Sequence, residues 1–140
     1  MTQSSALQQQ SVELKIQQEI RRVEDDLVIA IQEALDETRY GDLEEAQFRN
    51  LVRVADTTDS QEVIKNFLRY QVGRDQKWGR GKDSLATRII KDIDTTLKEK
   101  AKAIARKAGA TDEKPIALDL IRRYLGYGAR YLTYKRKGQA

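Results

Sequence analysis

Residues 84–109 read SLATRIIKDIDTTLKEKAKAIARKAG, and their apolar and basic side chains recur with the period of an α-helix. At about 100° per residue, the apolar positions share one arc of about 120°: Ala86, Ile89, Ile90, Ile93, Leu97, Ala101, Ile104 and Ala108. The basic positions share an opposite arc of about 80°: Arg88, Lys91, Lys98, Lys102 and Arg106. Ser84 suits an N-cap, and Gly109 suits the position where the chain leaves a helix. The stretch therefore predicts one helix with a core face and a cationic face.

The cationic face admits two interpretations. Charged residues commonly do no more than keep the outer side of a helix hydrated. In this stretch, however, the acidic residues Asp92, Asp94 and Glu99 are expected to point mostly away from the basic arc. We therefore interpret the face as a first indication of a polyanionic partner.

The composition excludes several classes of site. The chain has 140 residues, which suffices for one domain with its own core, and it contains neither cysteine nor histidine. Disulfides and thiolate metal sites are excluded, and the commonest general base is missing, so we predict no metal and no cofactor. No apolar run approaches the roughly 20 residues that span a bilayer, and the N-terminus does not resemble a signal peptide. A soluble cytoplasmic protein is the expectation.

Charge is divided unevenly along the chain. Residues 1–62 carry 6 Lys and Arg against 14 Asp and Glu, whereas residues 63–140 carry 20 against 8. The two parts therefore have net charges of −8 and +12, which sum to the net charge of +4. This asymmetry predicts an acidic and a basic face, and it would permit head-to-tail self-association through opposite charges.

The periodicity along the chain predicts an all-α single-domain bundle of about five helices, of which the first and fourth are the longest. The predicted helices cover residues 11–38, 43–55, 61–72, 84–109 and 116–134. Residues 1–10 are predicted to form a flexible tail, residues 11–134 the helical domain and residues 135–140 a basic C-terminal tail. Asp42 with Glu45 is expected to form the capping box of the second helix, and Ser60 to cap the third.

The first helix has apolar residues at heptad spacing and mostly acidic residues outside them. Two interpretations remain open: a long antiparallel member of the bundle, or a helix that packs on another protein. Val28, Ile29 and Ile31 widen its apolar face, which favours the bundle.

The connection at residues 73–83, GRDQKWGRGKD, combines glycines with Arg74, Lys77, Arg80, Lys82 and the one tryptophan, Trp78. Glycines let a backbone approach a ligand closely, and an indole among cations can stack on a base while the cations hold phosphates. Alternatively, Trp78 folds back over the core. The order of residues required for a phosphate-binding NTPase loop is absent.

A second basic and aromatic patch is predicted on the last helix. Its cations include Arg122, Arg123 and Arg130, interleaved with Tyr127 and Tyr134. The alternative for the tyrosines is a place at the edge of the core with the hydroxyl in water.

An enzyme is the function class that the sequence supports least. Neighbouring carboxylates such as Asp92 with Asp94, or Asp25 with Asp26, do not share a helix face. No nucleophile stands beside a plausible base, because histidine is absent. We therefore predict no catalytic residues.

Three short motifs resemble the helical small subunit of type III CRISPR–Cas effector complexes. They are QFRNL at residues 47–51, LRYQVGR at residues 68–74 and ARYLTYK at residues 129–135. The likeness covers residues 43–135 and matches the acidic first helix less clearly, and the loop GRDQKWGRGK departs from the family pattern. The resemblance implies a non-catalytic subunit that stacks head to tail in a ribonucleoprotein for antiviral defence, beside other subunits and the guide and target RNA.

The residues predicted to contact RNA come from both arguments. The resemblance implies Arg49, Arg69 and Arg74, by matching position. The patterns of charge and aromaticity add Lys77, Trp78, Arg80, Lys82, Arg88, Lys91, Lys98, Lys102, Arg123 and Arg130. An alternative function is a helical protein–protein adaptor with one acidic and one basic docking surface. Peripheral membrane attachment is disfavoured, because the apolar face of the fourth helix lacks Trp and Phe.

Overall fold

The computed structural model of the chain describes residues 2–138, with side chains from residue 5 onward. Five helices follow one another, and we number them α1 (Thr2–Glu37), α2 (Glu45–Thr57), α3 (Gln61–Arg74), α4 (residues 85–108) and α5 (Lys114–Thr133). Within the described residues no strand forms, apart from one isolated bridge between Arg39 and Ser84. The predicted all-α bundle is confirmed: α1 is the longest helix, α4 follows with 24 residues, and α5 reaches 25 when the π turn Tyr134–Gly138 that continues it is included.

Helix α4 is one rod with a π-helical turn in its middle. The α-helical segment Leu85–Asp92 passes into the π turn Ile93–Leu97 and then into the α-helical segment Lys98–Ala108. Residues spaced by four positions are buried along the whole rod: Ile89, Ile93, Leu97, Ala101 and Ala105. In a regular α-helix such a row would drift by about 160° from first to last. The π turn holds one extra residue and thereby keeps the row on the core.

The predicted helix ends are largely confirmed. Ser84 accepts a hydrogen bond from the backbone N–H of Thr87 at 3.1 Å, and Gly109 adopts a left-handed φ of 74° after the last turn. The prediction of a capping box at Asp42 and Glu45 was wrong. Glu44 and Gln47 form the box instead, because helix α2 begins two residues later than the apolar pattern suggested.

Helical structure extends beyond the predicted helix bounds at both ends of the chain. Helix α1 begins at Thr2 rather than at residue 11, although side chains 5–11 are all exposed. After Thr133, α5 continues as the π turn Tyr134–Gly138. There Lys135 donates to Asp36 at 2.7 Å and Arg136 donates to the carbonyl oxygen of Leu43 at 3.2 Å. The first residues of the predicted basic tail are therefore held on the bundle, and residues 139–140 lie outside the described part.

The core lies between α1, α2, α4 and α5. Helix α5 packs on each of the other three, whereas α3 lies at the edge and packs chiefly on α2 and α4. A Cβ atom at Gly128 would lie 2.7 Å from side-chain atoms of Ile31 and Phe48. The absence of a side chain at Gly128 therefore lets α5 approach α1 and α2 closely. No described helix is long and apolar enough to cross a membrane.

Candidate nucleic-acid interface

The acidic first helix meets the basic half of the same chain. Helix α1 carries eight carboxylates, and six of them form ion pairs: Glu19, Glu24, Asp26, Glu33, Asp36 and Glu37. Five of their partners come from α4, α5 and the final π turn: Arg88, Lys100, Lys107, Arg123 and Lys135. Much of the charge asymmetry between the two parts of the sequence is therefore neutralised within the fold.

Helix α4 keeps only part of its predicted cationic face. Arg88 lies within 3.8 Å of Glu33, 3.4 Å of Glu37 and 3.5 Å of Asp92. Its contribution to an external cationic face was predicted wrongly, because neighbouring carboxylates compensate its charge. In the part of the chain that the structure describes, Lys91, Lys98 and Lys102 are exposed and form no ion pair.

Helices α3 and α4 form an antiparallel hairpin. Lys65 of α3 donates to Asp94 of α4 at 2.8 Å, and Lys98, one turn further along α4, lines a cavity with the first residues of α3. Hydrogen bonds from Lys65 to Asp94 and Glu62 raise the pKa of Lys65 above its ordinary value. The pairing of these buried and half-exposed charges fixes the two helices side by side.

The outer side and the tip of this hairpin are strongly basic. Residues 63–91, which we call the basic hairpin, hold eight Lys and Arg against two Asp, a net charge of +6. Five of the cations are exposed and form no ion pair among the described residues: Arg69, Arg74, Arg80, Lys82 and Lys91. A surface of this charge attracts phosphates from a distance and can contact several at once.

A concave site extends the basic hairpin onto the connection between α1 and α2. The backbone N–H of Arg39 donates to the carbonyl oxygen of Asp83 at 2.7 Å, and that of Gly41 donates to Lys77 at 3.1 Å. A cavity of about 420 Å³ results, lined by Arg39, Tyr40, Gly41, Gln76, Gly79 and Arg80 without any carboxylate. Arg39 was missing from the predicted site, because nothing in the local pattern indicates that it lies beside residues forty positions later.

Gly79 makes this contact between the two connections possible. It has a φ of 84°, and a Cβ atom at this position would overlap the carbonyl oxygen of Arg39. Glycine adopts this backbone conformation without strain, and only a residue without Cβ leaves the space for so close an approach.

Trp78 is a core residue, so the prediction that its indole stacks on a base is corrected. The side chain is 0% exposed, and its ring packs on that of Phe48 with 5.6 Å between centroids. Its buried Nε1 has no hydrogen-bond partner among the described residues. The apolar surface of the indole outweighs its polar atom, and the loop therefore folds back over the bundle.

Three further residues that were predicted to contact RNA form ion pairs within the chain: Arg49, Lys77 and Arg123. Arg49 lies 3.9 Å from Glu45, and Lys77 lies 3.2 Å from Glu44, both in exposed pairs. Arg123 is bound by Asp119 at 2.7 Å and by Glu24 at 3.0 Å, so it belongs to the α1–α5 interface and not to an open surface.

In the second basic patch, predicted on the last helix, most cations bind other groups of the same chain. Arg122 donates to the carbonyl oxygens of Ala55 and Thr58, where helix α2 ends. Arg130 stays exposed and lies 6.0 Å from the centre of the Tyr127 ring. Free cations thus concentrate on the basic hairpin and the outer side of α4. No group of three or more potential metal-ligating side chains occurs in the described residues.

Comparisons with protein-family models, with curated proteins and with solved structures give no match to this chain.

Proposed function

We propose that the chain is a non-catalytic RNA-binding subunit that holds the RNA backbone on its basic hairpin. The observation that carries the proposal is the group of five exposed cations on residues 63–91 that form no ion pair among the described residues, since the other three cations of this range are paired with carboxylates outside it. Lys and Arg contacts to phosphates supply most non-specific affinity for nucleic acid.

The motif resemblance supports a more specific proposal, a small subunit of a type III CRISPR–Cas ribonucleoprotein that acts in antiviral defence. Its motif LRYQVGR covers the second half of α3, which carries Arg69 and Arg74. In such an assembly the guide RNA would read sequence by base pairing, and this subunit would hold the backbone. Contacts with neighbouring subunits and head-to-tail self-association belong to the same proposal.

The alternative, an adaptor with one acidic and one basic docking surface, has weaker support. Six carboxylates of α1 already bind cations of the same chain. Of the acidic residues on α1, Glu13 and Asp25 remain exposed without an ion pair in the described part of the chain. A docking surface for basic proteins would therefore depend on few charges.

The proposal is tested by measuring the affinity for a short mixed-sequence single-stranded RNA at several salt concentrations. About five phosphate contacts predict that log affinity falls against log salt with a slope of about −3.5 for a single strand. The double variant Arg74→Gln with Lys82→Gln is expected to weaken binding and to make the slope shallower by about 1.4, because two contacts are lost.

A matched control removes two cations elsewhere. Arg21 on α1 and Arg53 on α2 are exposed and form no ion pair within the described residues. The double variant Arg21→Gln with Arg53→Gln changes the net charge equally, and we expect it to keep the wild-type slope. A wild-type slope near zero, or equal losses in the two double variants, would contradict binding by the basic hairpin.

A further inference from the structure

Tyr70 stands apart from the other tyrosines of the chain. The sequence has six tyrosines, and five of them contact a partner through the hydroxyl group or the ring. These contacts are Tyr40 with Leu35, Tyr124 with Asp92, Tyr127 with Glu24, Tyr131 with Asp36, and the ring of Tyr134 with that of Tyr131. Tyr70 forms no hydrogen bond, aromatic pair or cation–π contact among the described residues, and 60% of it is exposed.

The surroundings of Tyr70 are cationic. Tyr70 lies on α3 beside Arg69, and Arg74 follows four positions later, so Arg74 is on the same side of the helix as the ring. Both arginines are exposed and without an ion pair in the described part of the chain. The ring therefore has one guanidinium group, that of Arg74, on its own side of α3, and a second, that of Arg69, about 100° around the helix.

From this arrangement we infer that Tyr70 is a stacking residue for an unpaired base, and that the basic hairpin takes single strands in preference to duplexes. The inference rests on the proposed function and adds the kind of strand. Proteins that bind single strands combine a basic groove with aromatic rings on which bases stack. In a duplex the base faces are covered by their neighbours, so an exposed ring gains no such contact there.

A protein partner would be the other use for an exposed tyrosine, and the charges around Tyr70 argue against it. The centres of protein–protein interfaces are depleted in charged residues. Here Arg74 lies on the same side of α3 as the exposed ring, and neither Arg74 nor Arg69 has an ion pair among the described residues. The nearest carboxylates along the chain are already engaged, because Asp75 accepts from the backbone N–H of Lys77 and Glu62 is bound to Lys65. A nucleotide strand could use both features, because a base can stack on the ring while the flanking phosphates bind the cations.

The test compares three variants with the wild-type chain, on a single-stranded RNA and on the blunt RNA duplex of the same sequence. Tyr70→Ala is expected to weaken binding of the single strand by about 5-fold or more, the loss that follows when one base loses its aromatic partner. Its binding of the duplex is expected to change by less than about 2-fold, because phosphate contacts remain. Tyr70→Phe keeps the ring and is expected to keep single-strand binding.

Val63→Ala is the matched control, since Val63 is 46% exposed on the same side of α3, two turns before Tyr70. It is expected to leave both affinities unchanged, and circular dichroism should show equal helicity for all variants. Unchanged single-strand binding by Tyr70→Ala would overturn the inference and would favour a protein partner as the ligand of the ring. An equal loss on the duplex would also overturn it. Failure of the wild-type chain to bind either RNA would instead refute the proposed function.

Discussion

At the scale of single residues, two glycines of α5 illustrate how position in the fold sets the effect of a substitution. Gly126 and Gly128 lie two positions apart on one helix, and glycine is a poor helix former at both. A Cβ atom at Gly128 would press against Ile31 and Phe48, whereas one at Gly126 would have no atom within 4 Å. The same change therefore adds a steric cost at one site only.

We expect Gly128→Ala to lower the free energy of unfolding by about 1–3 kcal/mol, because the tightly packed core has no room for the methyl group. Gly126→Ala is expected to raise it by up to about 1 kcal/mol, since alanine loses less entropy in a helix. Urea denaturation followed by circular dichroism measures both. Destabilisation of equal size at the two positions would contradict the packing described for Gly128.

The buried tyrosine of α5 is a second residue whose environment is set by distant partners. Tyr124 donates to Asp92 of α4 at 2.6 Å, and both are buried. Burial and the charge of Asp92 raise the pKa of Tyr124 well above its ordinary value. Tyr124→Phe is expected to lower the free energy of unfolding by about 1–3 kcal/mol, because it leaves Oδ2 of the buried carboxylate without its donor while Arg88 stays near Oδ1. Tyr134→Phe, at an exposed position, is the control for loss of a hydroxyl and should have almost no effect on the thermal midpoint.

At the scale of elements, the π turn of α4 keeps buried residues that recur every four positions on the side of the helix that faces the core. The spacing of its buried residues would place Ile89 and Ala105 on different sides of a regular helix, yet both are buried. One extra residue in the turn corrects this drift. The turn also separates the cations Lys91 and Lys98, so their relative direction differs from the value expected at 100° per residue.

Deletion of Thr95, an exposed residue of the π turn, is expected to convert α4 into a regular α-helix with its core row intact. The variant should unfold cooperatively and lose less than about 2 kcal/mol, within the usual range for a single change. Deletion of Lys102, exposed beyond the turn, rotates the following residues by about 100°. The Lys102 deletion should lower the free energy of unfolding by several kcal/mol, about as much as a large truncation in the core. Thermal denaturation compares them, and equal losses would contradict the proposed role of the turn.

At the scale of the whole molecule, α1 is longer than the bundle that it supports. Its 36 residues span about 54 Å, whereas the 25 residues from Lys114 to Gly138 span about 37 Å. Among the described side chains, which start at residue 5, the first buried one on α1 is Ile16, and side chains 5–11 are all exposed. Residues 5–11 therefore contribute little buried apolar surface.

Removal of residues 1–10 is expected to change the free energy of unfolding by less than about 0.5 kcal/mol, as for other exposed positions. RNA affinity should also stay unchanged, because the basic hairpin is formed by other elements. Calorimetry and the RNA titration measure the two effects. A large loss of stability would show that the exposed start of α1 packs on the bundle, and the control Ile16→Ala should cost about 2–5 kcal/mol.

The sequence by itself determined the helices, because apolar periodicity and capping act between residues within one or two turns. Ser60, Ser84 and Gly109 could be recognised in this way, and so could the all-α class. Only the tertiary structure decided which cations remain free, since neutralisation joins residues far apart in the chain, such as Arg123 with Glu24, 99 positions away. The burial of Trp78 and the place of Arg39 were decided in the same way, by contacts between connections that no local pattern encodes.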